Sequence, residues 1–141
     1  MKLTNELLKK LLPQSTEVNR QKYLPFFNKY LVQYDIVTDK QIAAFFAQIG
    51  HESAQLRYSE EIASGIAYEG RKDLGNIHSG MGVKYKGRGL IQITGFFNYK
   101  EISDSFGVDF IKNPQLLSQP EWAVRSACWW WHKRRLNEIA G

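Results

Sequence analysis

Two glutamates, Glu52 and Glu61, are the residues of this chain whose types and spacing best suit acid–base chemistry. Glu52 follows Ile49 by three positions and Phe45 by seven, so it shares the apolar stripe of a predicted helix. A carboxyl group on such a stripe is desolvated, which favours the protonated form that a proton donor needs. Glu61 comes where that helix should have ended, ahead of the stop signal Gly65. Hydrolysis of a glycosidic bond requires such a pair, one acid for the bridging oxygen and one carboxylate to activate water.

The base is less well defined than the acid, because two other glutamates are close by. Glu60 is adjacent to Glu61, and one of the two can face Glu52 while the other faces solvent. Glu69 is a further reserve base, although it can instead form a surface ion pair with Arg71. Surface pairs of that kind contribute only about 0 to 1 kcal/mol. For Glu52 itself, the non-catalytic alternative is a pairing with an arginine or a bond to a turn.

Several short motifs resemble one known family. They are His51-Glu52-Ser53, Tyr58-Ser-Glu-Glu61, Tyr68-Glu-Gly-Arg-Lys-Asp-Leu-Gly-Asn76, Tyr85-Lys-Gly-Arg-Gly-Leu-Ile-Gln-Ile-Thr94 and Phe97-Asn98-Tyr99. Together they resemble glycoside hydrolase family 19, and in particular its phage endolysin branch. The resemblance implies a mainly α, lysozyme-like fold. It also implies cleavage of β-1,4 links between N-acetylated sugars, in peptidoglycan or chitin, with inversion at the anomeric carbon.

The resemblance also implies roles for individual residues. Glu52 matches the general acid and Glu61 the base that activates water. The residues implied as contacts of substrate or water are Gln92, Thr94, Asn98, Tyr85 and Arg88. Of these, Tyr85 matches the aromatic and Arg88 the structural arginine of the Gly-Arg-Gly turn. Amide side chains suit N-acetyl and hydroxyl groups because they both donate and accept hydrogen bonds. A hydroxyl beside the base can hold a water for attack.

The elements that must position these residues are predicted as helices with one irregular segment. Apolar periodicity and capping signals, including Thr38 with Gln41, predict helices near residues 3–12, 17–34, 39–57, 96–106 and 119–139. Most of the glycines fall between residues 65 and 89, which predicts a glycine-rich loop or small hairpin beside the cleft. We expect residues 1–141 to form one lysozyme-like catalytic domain. Compared with the family, we expect a carboxyl-terminal segment with an Asn-Gly-Gly turn to be missing.

Composition narrows the class of protein. The only cysteine, Cys128, excludes an internal disulfide and favours folding in a reducing cytoplasm. The amino terminus lacks a signal peptide pattern, and no segment is long and apolar enough to span a bilayer. We therefore expect synthesis in the cytoplasm and action on the cell wall after release, for example through a phage holin. His51-Glu52 lacks the second histidine of a zinc helix, so neither a metal nor another cofactor is expected.

The sequence thus favours a bacteriolytic, monomeric endolysin that degrades peptidoglycan. A chitinase with the same mechanism is the closest alternative. The net charge of +5 also fits a noncatalytic basic module that binds an anionic polymer such as cell wall or nucleic acid. The acid pair and the polar Gln92, Thr94 and Asn98 series favour an enzyme, so no nucleic-acid partner is expected. Of Trp129, Trp130 and Trp131, at least one should be core, and another can offer a platform for a sugar.

Overall fold

A computed structural model describes residues 2–140, which form α-helices joined by turns and short 3-10 segments. The helices are α1 (Asn5–Leu11), α2 (Glu17–Gln33), α3 (Asp39–Glu52), α4 (Met81–Lys84), α5 (Phe96–Phe106), α6 (Pro120–Lys133) and α7 (Leu136–Ala140). Within residues 2–140, β pairing is limited to isolated bridges of Arg88 with Glu60 and with Ile93. The predicted mainly α fold is confirmed. None of the helices in this range is long and apolar enough to cross a membrane.

An aromatic core joins the three longest helices. The buried face of α3 carries Phe45 and Phe46. The ring of Phe46 lies 4.9 Å from that of Phe27 on α2, and the ring of Phe45 lies 5.6 Å from that of Trp131 on α6. Edge-to-face pairs of this kind add to the free energy of burial and favour one packing arrangement. The core therefore fixes α3, which carries Glu52 at its last turn.

The ends of α3 follow from local hydrogen bonds. At the amino end, Thr38 and Gln41 form the predicted capping box. At the other end the prediction of a helix to residue 57 is wrong, because α3 ends at Glu52. The Ser53 hydroxyl donates to the Ile49 carbonyl at 2.6 Å and accepts the Leu56 N–H at 2.9 Å. Residues 54–56 have φ values of 51°, 56° and 70°, so the chain turns back in a left-handed conformation and buries Leu56 without continuing the helix.

The predicted last helix is also interrupted. α6 ends at Lys133, Arg135 has a φ of 55°, and α7 starts at Leu136. Asn137 stabilises the break, because its side chain accepts the indole N–H of Trp131 at 2.8 Å and donates to the Tyr34 carbonyl at 3.2 Å. These bonds turn α7 back towards the end of α2. No glycine or proline marks the position, so the break could not be predicted from the sequence pattern.

The glycine-rich segment between residues 65 and 89 is a loop, and the alternative of a small hairpin is not what forms. It contains two 3-10 turns, Ile66–Tyr68 and Lys72–Leu74, followed by α4. A side chain at Gly82 would place its Cβ 2.4 Å from the Glu69 backbone nitrogen. Only glycine permits this approach, which holds α4 against the turn that carries Tyr68.

Candidate active site

Glu52 lies at the carboxyl end of α3 with its side chain exposed. Its Oε1 accepts a hydrogen bond from the Gln48 amide at 3.2 Å. The expected burial of this carboxyl group on the apolar stripe is therefore wrong. The stripe is continued by Ser53 and Leu56, which fold back over the core after the helix has ended. Glu52 stays exposed to solvent, where it is accessible to a substrate.

The Glu61 side chain accepts more hydrogen bonds than the Glu52 side chain does. The Glu61 backbone N–H donates to the Gly87 carbonyl at 2.9 Å, and its Oε1 accepts the Gly87 N–H at 2.6 Å. Its Oε2 accepts the hydroxyl of Tyr68 at 3.1 Å. Two donors thus fix the orientation of a half-buried carboxylate. A carboxylate that is held in place before substrate binds can take up a proton without reorganising.

Tyr68 was not among the residues predicted for the site. Its own position is fixed by Asn76, whose side chain donates to the Tyr68 carbonyl at 2.9 Å and accepts the Phe96 N–H at 3.0 Å. Burial, followed by the hydrogen bond to the Glu61 carboxylate, raises the pKa of Tyr68 above its usual range. The hydroxyl therefore stays protonated and remains a donor to Glu61.

Glu60 has a different set of contacts from Glu61. It forms an ion pair with Arg88 at 2.9 Å and lies 3.6 Å from the Lys86 ammonium group. The hydrogen bond from Arg88 holds the pKa of the Glu60 carboxyl below its usual range. The stability from this pair is therefore present at neutral pH and is lost as the pH falls through that lowered pKa. These contacts give Glu60 a structural use, since it anchors the chain that carries Glu61.

The other reserve base, Glu69, caps a helix. Its Oε2 accepts the Gly80 N–H at 3.0 Å and its Oε1 accepts the Val83 N–H at 3.1 Å. Both donors lie at the amino end of α4, where backbone N–H groups lack partners within the helix. The alternative ion pair with Arg71 does not form, because Arg71 binds Asp73 at 2.6 Å.

Gln92, Thr94 and Asn98 line the same cavity, which has a volume of about 120 Å³. The Thr94 hydroxyl donates to the Gln92 carbonyl at 3.0 Å, and the Asn98 amide donates to the Thr94 carbonyl at 2.7 Å. Gln92 has a φ of 58°. A non-glycine residue in this left-handed region is strained, and such strain is concentrated at functional sites. The structure thus brings together these three residues, which were predicted as substrate or water contacts.

Gly87 connects this cavity with Glu61. A Cβ built at Gly87 would lie 2.6 Å from Gln92 Oε1 and 3.2 Å from Thr94 Oγ1. The same residue binds the Glu61 carboxylate through its N–H. Glu61, Gln92 and Thr94 therefore converge on one glycine, whose lack of a side chain lets the Gln92 and Thr94 side chains approach the backbone that binds the carboxylate.

Two of the predicted site residues lie in the interior. Only 2% of Tyr85 is exposed, and its hydroxyl donates to the Ile111 carbonyl at 3.1 Å. Arg88 is 7% exposed and donates to Glu60 and to the Tyr99 hydroxyl. A direct contact between Tyr85 and a sugar is therefore corrected to a structural role, since its ring has almost no free surface. For Arg88 a contact with substrate or water is corrected in the same way, because its guanidinium group is buried and donates to Glu60 and Tyr99. These contacts agree with the structural role that the resemblance also implies.

Other residues that line the cavity come from the end of α6 and from α5. They are Trp129, Trp130 and Arg134 at the end of α6, and Glu101 of α5. Trp131 is the tryptophan that packs into the core, as expected for at least one of the three. Arg134 was missed as a cavity residue. A basic residue after a helix is more often a partner of the helix dipole than part of a binding site.

No group of three or more His, Cys, Asp or Glu side chains that could hold a metal ion occurs among residues 2–140. Cys128 is fully buried in α6, and burial raises the pKa of its thiol well above the usual range. This cysteine is therefore an apolar core residue and not a nucleophile.

The family model described as chitinase class I, of glycoside hydrolase family 19, matches residues 25–139. The chain belongs to glycoside hydrolase family 19. Membership of the family, predicted from the motifs, is confirmed. The phage endolysin branch stays a prediction.

Plant members of family 19 are similar to this chain in sequence. Endochitinase At2g43610 of Arabidopsis thaliana is 32% identical over 115 residues, which cover 81% of this chain and 40% of the plant protein. Chitinase 4 of Oryza sativa subsp. japonica is 33% identical over 93 residues, which cover 65% of this chain and 33% of that protein. The chain thus spans two fifths or less of the length of these relatives.

Solved structures of family 19 members share the fold. Chitinase C from Streptomyces griseus HUT6037 superimposes with a TM-score of 0.69 at 25% identity, covering 91% of this chain and 65% of that one. The class IV chitinase from Zea mays gives a TM-score of 0.70 at 24% identity, covering 97% of this chain and 74% of that one. This likeness confirms the lysozyme-like fold predicted for the chain.

Proposed function

We propose that this family 19 protein is a glycoside hydrolase that cleaves β-1,4 links between N-acetylated amino sugars in peptidoglycan. The observation that carries the proposal is the convergence of Glu61, Gln92 and Thr94 on Gly87. A carboxylate fixed by two donors stands beside a hydroxyl and an amide, next to a cavity that opens to solvent. This arrangement suits a base that activates water next to a bound sugar.

In the proposed mechanism, Glu52 protonates the bridging oxygen while a water attacks the anomeric carbon from the opposite face. The Glu61 carboxylate accepts a proton from that water, and Thr94 holds it in line through its hydroxyl oxygen. Gln92 and Asn98 bind hydroxyl and N-acetyl groups, because an amide offers both a donor and an acceptor. One displacement inverts the configuration, so a β-linked substrate gives an α product.

Two features support peptidoglycan as the substrate. The segment 68–76 resembles the endolysin branch of the family. The net charge of +5 favours an anionic polymer, and peptidoglycan carries carboxylates whereas chitin does not. If the substrate is the cell wall, we propose that the protein reaches it after release from the cytoplasm and acts as a monomer.

Chitin is the second candidate, and a specific observation favours it. The similar plant proteins are endochitinases, and the similar solved structures are chitinases. The residues that would bind the N-acetyl group are the same for both polymers. The two substrates therefore differ only in what the cleft does with the muramyl substituent.

Purified peptidoglycan and chitin oligosaccharides, digested in parallel, test the proposal. Mass spectrometry should show new reducing ends on the wall sugars, and NMR during the first turnovers should show the α anomer of the product. If only chitin is cleaved, the substrate is chitin and not peptidoglycan. Binding that weakens steeply with salt, with no bond cleaved in either polymer, would indicate the noncatalytic basic module.

Thr94→Val keeps the shape of the side chain but removes its hydroxyl. If Thr94 holds the attacking water, turnover should fall at least about tenfold with little change in substrate affinity. Thr94→Ser retains the hydroxyl and should keep most of the activity. If the hydroxyl only bonds the Gln92 carbonyl, Thr94→Val should lower the thermal midpoint and leave turnover per folded molecule unchanged. Turnover and midpoint measured on the same samples distinguish these results.

Tyr68→Phe removes one of the two donors to the Glu61 side chain. Hydrogen bonds to charged groups contribute about 1.5 to 3 kcal/mol, so turnover should fall about 10- to 150-fold while KM changes little. Tyr58→Phe is the matched control, since Tyr58 is exposed and lies close by in the chain. Equal turnover in both variants would show that Tyr68 does not position Glu61.

A further inference from the structure

The cavity beside Thr94 is lined by two chemically different groups of polar and aromatic residues. Gln92, Thr94 and Asn98 are polar and uncharged, whereas Trp130 and Arg134 are aromatic and cationic. The volume of the cavity is about 120 Å³ and it opens to solvent, so a substituent that projects from a bound sugar can enter it. Because Gln92 and Thr94 adjoin Glu61 through Gly87, a substituent here would belong to a sugar next to the bond that is cleaved.

Among residues 2–140, one cation that lines this cavity has no charged partner. Lys133 forms an ion pair with Glu101 at 2.6 Å, and Arg135 forms one with Glu138 at 2.9 Å. Among residues 2–140, Arg134 has neither an ion pair nor a side-chain hydrogen bond. Glu101 is the one acidic residue in the cavity lining, and Lys133 already neutralises it. An arriving anion would therefore meet the positive charge of Arg134.

Arg134 is also held in place. Its guanidinium carbon lies 4.4 Å from the centre of the Trp130 ring. Stacking occupies a face of the guanidinium group and leaves the N–H donors, which lie in its plane, available for a carboxylate. A stacked arginine loses less side-chain freedom on binding than a mobile lysine does, and its fork matches the two oxygens of a carboxylate.

We propose that Trp130 and Arg134 form a subsite for the carboxylate-bearing substituent of a muramyl sugar. This inference rests on the proposed function, because it specifies which polymer the same cleft selects. In peptidoglycan, alternate sugars carry a lactyl group extended by a peptide with free carboxylates. In chitin every sugar carries only the acetamido and hydroxyl groups, which give Arg134 no charge to bind. The subsite therefore favours peptidoglycan over chitin.

A structural use of Arg134 predicts different behaviour. Arg134 directly follows α6, and a cation there stabilises the partial negative charge of the helix end. In that case its removal would lower the thermal midpoint and would not change the preference between charged and uncharged ligands. A ratio of affinities for two matched ligands separates the two roles, because a change in stability affects both affinities equally.

The test uses calorimetric binding to the Glu61→Gln protein, which should not consume its ligand. One ligand is a peptidoglycan tetrasaccharide with its peptide carboxylates free, and the other is the same molecule with those carboxylates amidated. At low salt the Glu61→Gln protein should bind the free acid at least about tenfold more tightly than the amidated ligand. This difference in affinity should shrink as salt is added. Adding Arg134→Gln should reduce the preference to less than about twofold, and Arg134→Lys should retain part of it. Arg135→Gln, which removes the neighbouring paired cation, is the control and should retain all of it.

Equal preference for the free acid with and without Arg134 would overturn the subsite, as would the absence of any preference. These outcomes differ from a failure of the proposed function. If the parent protein cleaves neither polymer but Arg134→Gln still abolishes a measured preference, the subsite stands and the hydrolysis does not. If the parent cleaves peptidoglycan while Arg134→Gln leaves the preference unchanged, the hydrolysis stands and the subsite does not.

Discussion

Replacing Glu61 by Gln is expected to lower turnover at least about 100-fold, the scale of a general base. The amide can keep both contacts of the carboxylate. Its oxygen can accept the Gly87 N–H, and its NH₂ group can donate to the Tyr68 hydroxyl. The fold and the substrate affinity should therefore stay close to those of the parent. What is lost is the ability to take a proton from water.

Glu60→Gln is the matched control, one residue away. It removes the charge that pairs with Arg88 and should reduce stability, mainly above the lowered pKa of Glu60. Its turnover per folded molecule should stay within about threefold of the parent. The reverse ranking, with Glu60→Gln inactive and Glu61→Gln active, would show that the base has been misassigned.

A second measurement identifies the chemical role of Glu61. Glu61→Ala leaves space beside Gly87, and added azide can enter as an anion that needs no base. Azide should restore turnover and give a glycosyl azide of inverted configuration. A residue needed only for folding would not be replaced by azide in this way.

The fold follows from the sequence where an apolar stripe and a capping signal agree. α3 starts as predicted because Thr38 and Gln41 cap it and its apolar residues repeat with helical spacing. Its end could not be predicted in the same way. Leu56 continues the spacing of the stripe, yet it reaches the core through a left-handed turn that Ser53 initiates. Apolar periodicity predicts which residues are buried, but not the backbone conformation that buries them. Leu56 can be buried either by a continued helix or by this left-handed turn.

In the candidate site, too, some residues could be predicted from the sequence and others could not. Glu61, Gln92, Thr94 and Asn98 lie in short motifs, so their resemblance to a family was sufficient to single them out. Their convergence depends on Gly87, whose close approach to Gln92 cannot be read from residue types. Arg134 is brought to the same cavity by the break after α6, and that break depends on the contacts of Asn137. Residues that meet only through such tertiary contacts give no local signal.

Glu52→Gln is expected to lower turnover on natural polysaccharide at least about 100-fold, because the amide cannot protonate the bridging oxygen. Glu52 is exposed at the end of α3, so the change should leave the fold intact. Its contact with Gln48 can also persist, since the amide oxygen can still accept from the Gln48 side chain. Glu6→Gln in α1 is a suitable control for the loss of one exposed acid.

A substrate whose leaving group needs no proton tests whether Glu52 is the acid. An N-acetylglucosamine oligosaccharide linked to nitrophenol has a leaving group that departs as an anion and needs no proton. On this substrate the loss in Glu52→Gln should shrink to less than about tenfold, whereas Glu61→Gln should remain as inactive as on polysaccharide. The contrast is informative because Glu52 is exposed in the free protein, so only a bound substrate can shield it from water. An equal loss on both substrates would assign Glu52 to binding or orientation, and the proton would then have to come from another group.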